Sequence, residues 1–113
     1  MKISLVIPCY NEEATVETFY GAATTVLNEI EDLSYEMIFV NDGSRDSTRQ
    51  KLKELAEKDE RVKVVNFSRN FGQQAAILCG FRVCTGDCAV ELDCDLQDPV
   101  ELIPKMIEKW KEG

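Results

Sequence analysis

Four carboxylates and an amide fall within one short stretch, Glu91-Leu92-Asp93-Cys94-Asp95-Leu96-Gln97-Asp98-Pro99. The residues before it, Cys88-Ala89-Val90-Glu91-Leu92, have the length and composition of a short strand. Asp93 and Asp95 therefore sit where a strand gives way to a loop, and their side chains can project the same way. Carboxylates this close raise one another's proton affinity and are costly to desolvate, a penalty that a cation removes. Asp95 and Gln97, with Asp93 as a further candidate, are hard oxygen ligands. They suit Mg2+ or Mn2+ holding a phosphate better than zinc. An acidic, solvated turn leading into a helix accounts for Asp-x-Asp alone equally well, so the weight falls on what the rest of the chain brings to the same place.

Four apolar runs precede polar clusters of this kind. Ile3-Ser4-Leu5-Val6-Ile7-Pro8 reads as a buried strand ended by a proline that cannot donate to a ladder. Asn11 then caps a helix whose apolar positions Val16, Phe19, Ala23, Val26, Leu27 and Ile30 keep helical spacing. Residues 35–40 form a second strand, Asn41-Asp42-Gly43-Ser44 turns, and Asp46 or Ser47 caps a helix to about Lys58. Residues 62–67 form a third strand, and Ser68-Arg69-Asn70-Phe71-Gly72 leads into a helix over 73–83. Thr85-Gly86-Asp87 turns into the fourth strand. Asp98-Pro99 starts a helical turn, and because Pro104 would break a continuous helix, the last helix spans 104–111.

Strand and helix alternating four times is the pattern of an α/β fold, a Rossmann-like, mostly parallel sheet with right-handed crossovers and helices on both faces. Ligands of such sheets bind beyond the carboxyl ends of the strands. There the sequence gathers Pro8-Cys9-Tyr10-Asn11-Glu12, Asn41-Asp42-Gly43-Ser44, Ser68-Arg69-Asn70 and Asp93-Cys94-Asp95. Singly each cluster is ordinary turn chemistry. Together on one rim they point to a ligand site.

Composition narrows the ligand. The 113 residues suit one domain, residues 1–113, and 44% apolar with 30% charged is ordinary for a soluble protein. A net charge of −8, from 13 Lys and Arg against 21 acids, argues against a nucleic-acid partner. No apolar run reaches membrane-spanning length and no signal peptide is evident, so the expectation is a cytoplasmic chain with no membrane span in these residues. The five cysteines include no Cys-x-x-Cys pair and there is no histidine, so they read as small apolar fillers rather than a zinc site or a catalytic thiol. Neither the Gly-x-Gly-x-x-Gly fingerprint nor a P-loop follows the first strand. A nucleotide would be held by side chains instead: Tyr10 against a ring, Asp42 accepting from a base N–H, and a metal at Asp95 gripping a diphosphate.

The segments Val6-Ile7-Pro8-Cys9-Tyr10-Asn11-Glu12-Glu13, Val40-Asn41-Asp42-Gly43-Ser44-Arg45-Asp46-Ser47-Thr48, Asn66-Phe67-Ser68-Arg69-Asn70-Phe71-Gly72 and Asp93-Cys94-Asp95-Leu96-Gln97-Asp98-Pro99 resemble the family 2 glycosyltransferases of the GT-A fold. The closing segment and Ser-Arg-Asn-Phe-Gly are similar to the branch of dolichol-phosphate mannosyltransferases and bacterial polyprenyl-phosphate glycosyltransferases. The resemblance implies that Pro8, Tyr10, Asn11 and Glu12 line the nucleoside pocket, that Asp42 recognises the base, and that Asp93 lies against the ribose or sugar. It implies Asp95 and Gln97 as metal ligands for Mg2+ or Mn2+, and Asp93 and Asp95 as the candidate catalytic pair. The donor would be a nucleotide diphosphate sugar and the acceptor a polyprenyl phosphate, glycosylated with inversion at the cytoplasmic membrane face.

Two departures stand out. Family members often carry a basic residue or histidine after Phe-Gly, where this chain has Gln73-Gln74. Members also continue well beyond the equivalent of Gly113, so the chain resembles the N-terminal, nucleotide-binding half. A non-catalytic nucleotide-binding module and an α/β domain whose acidic loop binds cations incidentally are the alternatives.

Overall fold

A computed structural model describes residues 1–94 and 103–112. The chain runs β1 (Lys2–Cys9), α1 (Val16–Asn28), β2 (Ser34–Asn41), α2 (Thr48–Lys58), β3 (Val62–Asn66), α3 (Gln73–Val83), β4 (Cys88–Glu91) and α4 (Ile103–Glu112). The four strands form one sheet in the order β3-β2-β1-β4, every pair parallel. Long apolar runs in β1 and β2 explain their central places, because a strand covered on both faces has no solvated side to fill with polar residues.

Alternation then divides the side chains between two layers. Ile3, Leu5 and Ile7 of β1 and Tyr35, Met37 and Phe39 of β2 pack with Val16, Phe19, Ala23 and Leu27 of α1, Leu52 and Leu55 of α2, and Ile103 and Ile107 of α4. Phe19 and Phe39 meet edge to face at 6.2 Å, each burying enough apolar surface to contribute about 2–3 kcal/mol. Ile38 and Val40 face the other way and meet Ala76 of α3. Gly80 lets α3 lie close on that face, since a β-carbon there would stand 2.3 Å from Val6 Cγ1. Helices thus cover both faces.

Several boundaries differ from expectation. Pro8 does not end β1, which runs on to Cys9 with Pro8 in register with Val40. Asn11 does not cap α1. The helix begins only at Val16, and Asn11 adopts φ +53° in the preceding loop. Ser47 occupies the N-cap position of α2 without a capping bond, and Asp46 Oδ1 instead accepts from the Thr48 N–H at 3.0 Å. The last helix starts one residue before Pro104, which the first helical turn tolerates because its N–H groups lack internal partners.

The amino end of the sheet is closed by a buried carboxylate. Glu36, 2% exposed, accepts from Ser4 Oγ, from the Thr85 N–H and hydroxyl, and from Lys63 Nζ. Gly86 donates in turn to Ser4 Oγ, so the turn into β4 is tied to β1 and β2. Burial alone would raise the Glu36 pKa, but Lys63, Ser4 and Thr85 outweigh it and hold the group at about 2, against 4.5 ordinarily. Asp59, beside Arg61 and bonded by Tyr20, is likewise held at about 2.

Both shifts are depressions, so the unfolded chain takes up these protons at higher pH than the folded one. The stability they contribute is present above about pH 4.5 and is lost as pH falls toward 2. Urea unfolding should therefore show a midpoint that declines across that window. Glu36→Gln should lower stability at pH 7 by about 3 kcal/mol and flatten the decline. An acid limb identical to that of the unmodified chain would exclude this role for Glu36.

Candidate functional site

At the carboxyl end of the sheet, the loops after the strands are fastened to one another in series. The loop after β1 joins the loop after β2 through backbone groups. The Asn11 N–H donates to Ser44 Oγ at 2.9 Å, the Arg45 N–H to Asn11 Oδ1 at 2.9 Å, and the Glu12 N–H to Thr48 Oγ1 at 2.9 Å. Glu13 adds an exchange with the start of α2, its N–H donating to Asp46 and its carboxylate accepting from the Ser47 N–H. Asn11 accommodates the left-handed turn this requires, a conformation its short polar side chain tolerates better than most.

The loop after β2 is joined to that after β3 by Asp42. Its Oδ1 accepts from the Phe71 N–H at 2.7 Å, and its Oδ2 from the Gly72 N–H at 3.0 Å and from Asn70 Nδ2 at 3.2 Å. The carboxylate is 3% exposed, and it supplies the partners that amide groups at the entry to α3 would otherwise lack. Gly43 permits the approach. It adopts φ +69°, and a β-carbon there would fall 2.2 Å from the Arg69 carbonyl carbon. The series ends at β4, where Gln73 Nε2, at the start of α3, donates to Asp93 Oδ1 at 3.1 Å.

Within this frame lies a cleft of about 290 Å3 lined by Pro8, Cys9, Tyr10, Glu12, Asp42, Gln73, Asp93 and Cys94. Pro8, Tyr10, Glu12, Asp42 and Asp93, expected from sequence to meet a nucleotide, thus share one wall-to-wall space. Tyr10 is 45% exposed and, among the described residues, the one large aromatic side chain in the lining. Asn11 is not brought into the lining, because its amide is committed to the Arg45 N–H. Asp95 and Gln97, the expected metal ligands, lie outside the described residues.

The lining holds three carboxylates and no basic side chain among the described residues. It would repel a diphosphate unless a cation came with it. Glu12 is partly engaged, accepting from Thr15 Oγ1 at 2.8 Å. The neighbouring Cys94 thiol and burial push the Cys9 pKa well above the usual thiol value, and Cys9 Sγ donates to the Ile7 carbonyl at 3.6 Å. It stays protonated near neutrality and acts as packing at the cleft floor, in line with the expectation for the cysteines. Cys9 and Cys94 were gathered on the rim from sequence without a ligand role, and Gln73 was noted only as standing where family members often carry a basic residue or histidine. A glutamine that opens a helix immediately after a glycine was the available signal for Gln73.

A parallel α/β sheet with this rim superposes with a TM-score of 0.80 on the mannosyltransferase PcManGT from Pyrobaculum calidifontis, solved in complex with GDP-Man and Mn2+. The overlap is at 22% identity and covers 98% of this chain and 32% of that one, so the fold is GT-A. Residues 4–113 match the family description Glycosyl transferase family 2, and the chain belongs to that family. It is 47% identical over 113 residues to the uncharacterized glycosyltransferase YkcC of Bacillus subtilis (strain 168), covering all of this chain and 35% of that protein. It is 43% identical over 113 residues to the bactoprenol glucosyl transferase of Shigella phage SfX, again covering all of this chain and 37% of that protein. The chain spans about a third of the length of these curated relatives.

Asp42→Asn replaces an acceptor with a donor facing two backbone N–H groups, and it should cost about 1–3 kcal/mol in unfolding free energy. Amide exchange at Phe71 and Gly72 should accelerate more than exchange in β1. Unaltered protection of those two amides would show that the carboxylate does not hold the loop.

Proposed function

We propose that this chain is the donor-binding part of a metal-dependent glycosyltransferase that moves a sugar, with inversion, from a nucleotide diphosphate sugar to a polyprenyl phosphate at the cytoplasmic face of the membrane. The observation that carries this reading is the convergence of Tyr10, Glu12, Asp42 and Asp93 on one acidic cleft at the carboxyl rim of the sheet. Membership of glycosyl transferase family 2 supports sugar transfer as the reaction. The name of the phage relative, a bactoprenol glucosyl transferase, supports a polyprenyl-linked acceptor. No described helix is long and apolar enough to cross a membrane.

The residues divide the work by chemistry. The exposed Tyr10 ring packs on the base. Asp42 Oδ1, which keeps a lone pair beyond the Phe71 bond, accepts from a base N–H, and because that oxygen is already fixed by the loop little ordering is needed on binding. Asp93 accepts from a ribose or sugar hydroxyl, and Gln73, bonded to it, is a neutral donor within the same cleft. Asp93 in the cleft suits a divalent cation, since its carboxylate oxygens are hard ligands in an acidic surrounding; Asp95 and Gln97 would complete the set. When bound, Mg2+ or Mn2+ would offset the charge that develops on the departing diphosphate. A phosphate acceptor brings its own ionised oxygen, so the cleft need not provide a general base near neutral pH.

Calorimetry with a nucleoside diphosphate should show binding at least tenfold tighter with Mn2+ than with chelator, and Asp95→Asn should remove most of that difference. Equal affinity under both conditions would end the metal reading. The acceptor is tested on the full-length protein with Mg2+, a panel of nucleotide sugars, and either a short polyprenyl phosphate or soluble oligosaccharides. Transfer to the lipid phosphate is expected. Transfer to the oligosaccharides with none to the lipid phosphate would overturn the acceptor and leave sugar transfer standing.

A further inference from the structure

Next to the acidic cleft, and sharing Tyr10 with it, lies a second space of about 290 Å3 whose lining has the opposite charge. Arg45, Arg49 and Arg69 line it together with Ser44, Ser68 and Asn70. Among the described residues Lys2, Lys51, Arg61 and Lys63 each face a carboxylate within 4 Å, whereas Lys53, Lys58, Arg82, Lys105 and Lys109 face none but are scattered rather than gathered on one space. The guanidinium groups of Arg45, Arg49 and Arg69 have no carboxylate partner among the described residues. Arg69 is held by stacking, 4.6 Å above the Phe71 ring. Asp46, the nearest acid in sequence, bonds the N–H and hydroxyl of Thr48 and the Glu13 N–H rather than a guanidinium.

Three arginines without a carboxylate partner, lining one space that also carries serine hydroxyls, suit phosphate oxygens, which a guanidinium can meet with paired donors. The net charge of −8 does not cancel this attraction. Charges more than about 8 Å away are largely screened at physiological ionic strength, so the local set decides. The space is also built firmly. Its floor is the junction of the loops after β2 and β3, held by Asp42 and by the close contact at Gly43.

We propose that Arg45, Arg49 and Arg69 form a second, metal-independent site for a phosphate mono- or diester, separate from the donor cleft. The chemistry is shared by a lipid headgroup and by soluble phosphate, and it does not depend on the donor reading. Because the attraction is between exposed charges, affinity should fall as salt rises.

The test uses the full-length protein with chelator present and compares it with the Arg45→Gln/Arg49→Gln double variant, which leaves the Arg69 stack intact. Two ligands are offered: inorganic phosphate by calorimetry, and phosphatidylcholine vesicles with or without phosphatidylglycerol by sedimentation. Binding of at least one is expected, weakened at least fivefold in the double variant and abolished at high salt. Uptake by the phosphatidylglycerol vesicles identifies a headgroup as the ligand, and binding of phosphate alone identifies a soluble one. Mn2+-dependent nucleoside diphosphate binding, read in parallel, should change less than twofold, so that failure of the donor reading is seen separately. Absence of binding to both ligands, or equal binding by the double variant, would overturn the second site.

Discussion

The buried Asp42 carboxylate is the contact on which the rim depends. Its partners are backbone N–H groups of another loop rather than side chains, so the interaction fixes a chain path and not merely a rotamer. A buried acceptor with no donor, or a buried donor with no acceptor, costs more than the net value of the bond itself. The loops after β2 and β3 are therefore coupled. Through Asn11, Thr48 and Gln73 the coupling reaches the loops after β1 and β4, and the cleft walls have few independent ways to move.

The two ends of the sheet solve the same electrostatic problem differently. At the amino end a buried carboxylate is compensated by Lys63 and by hydroxyl and amide donors, and its role is complete in the folded chain. At the carboxyl end, Glu12 and Asp93 line a cleft without a basic side chain among the described residues. There Thr15 donates to Glu12 and Gln73 to Asp93, both neutral groups.

How much of this was legible in the sequence follows from which interactions are local. Apolar runs and helical spacing located every described strand and helix to within a few residues, because burial on both faces leaves a clear pattern in β1 and β2. The rim was legible as a set of polar strand exits, and the cleft contains most of the residues expected there. Asn11 was misread as a helix cap because an asparagine ahead of an apolar helix carries that signal. Its actual partners, Ser44 and Arg45, are more than thirty residues away and leave no local trace. Asp42 shows the same limit, since sequence suggested a ligand contact and could not reveal that the carboxylate also bonds the Phe71 and Gly72 N–H groups. The acidic loop was the most conspicuous chemistry in the chain, and Asp95 and Gln97 stand outside the described residues.

The strand order has a consequence for how the cleft comes into being. β1 is the first strand made, yet its pairing with β4 joins Ile3 to Cys88, so one side of the cleft closes only after nearly the whole described sheet has been synthesised. Contacts between residues so far apart in sequence are slow to form, because the loop-closure entropy is lost before the contact stabilises anything. Pairing of β1 with β2 and β2 with β3 spans much shorter separations and can form first on a growing chain. The arginine-lined space, built on the β2 and β3 exits, is then complete earlier than the acidic one. A nascent chain would present the arginine-lined surface before the acidic cleft had formed.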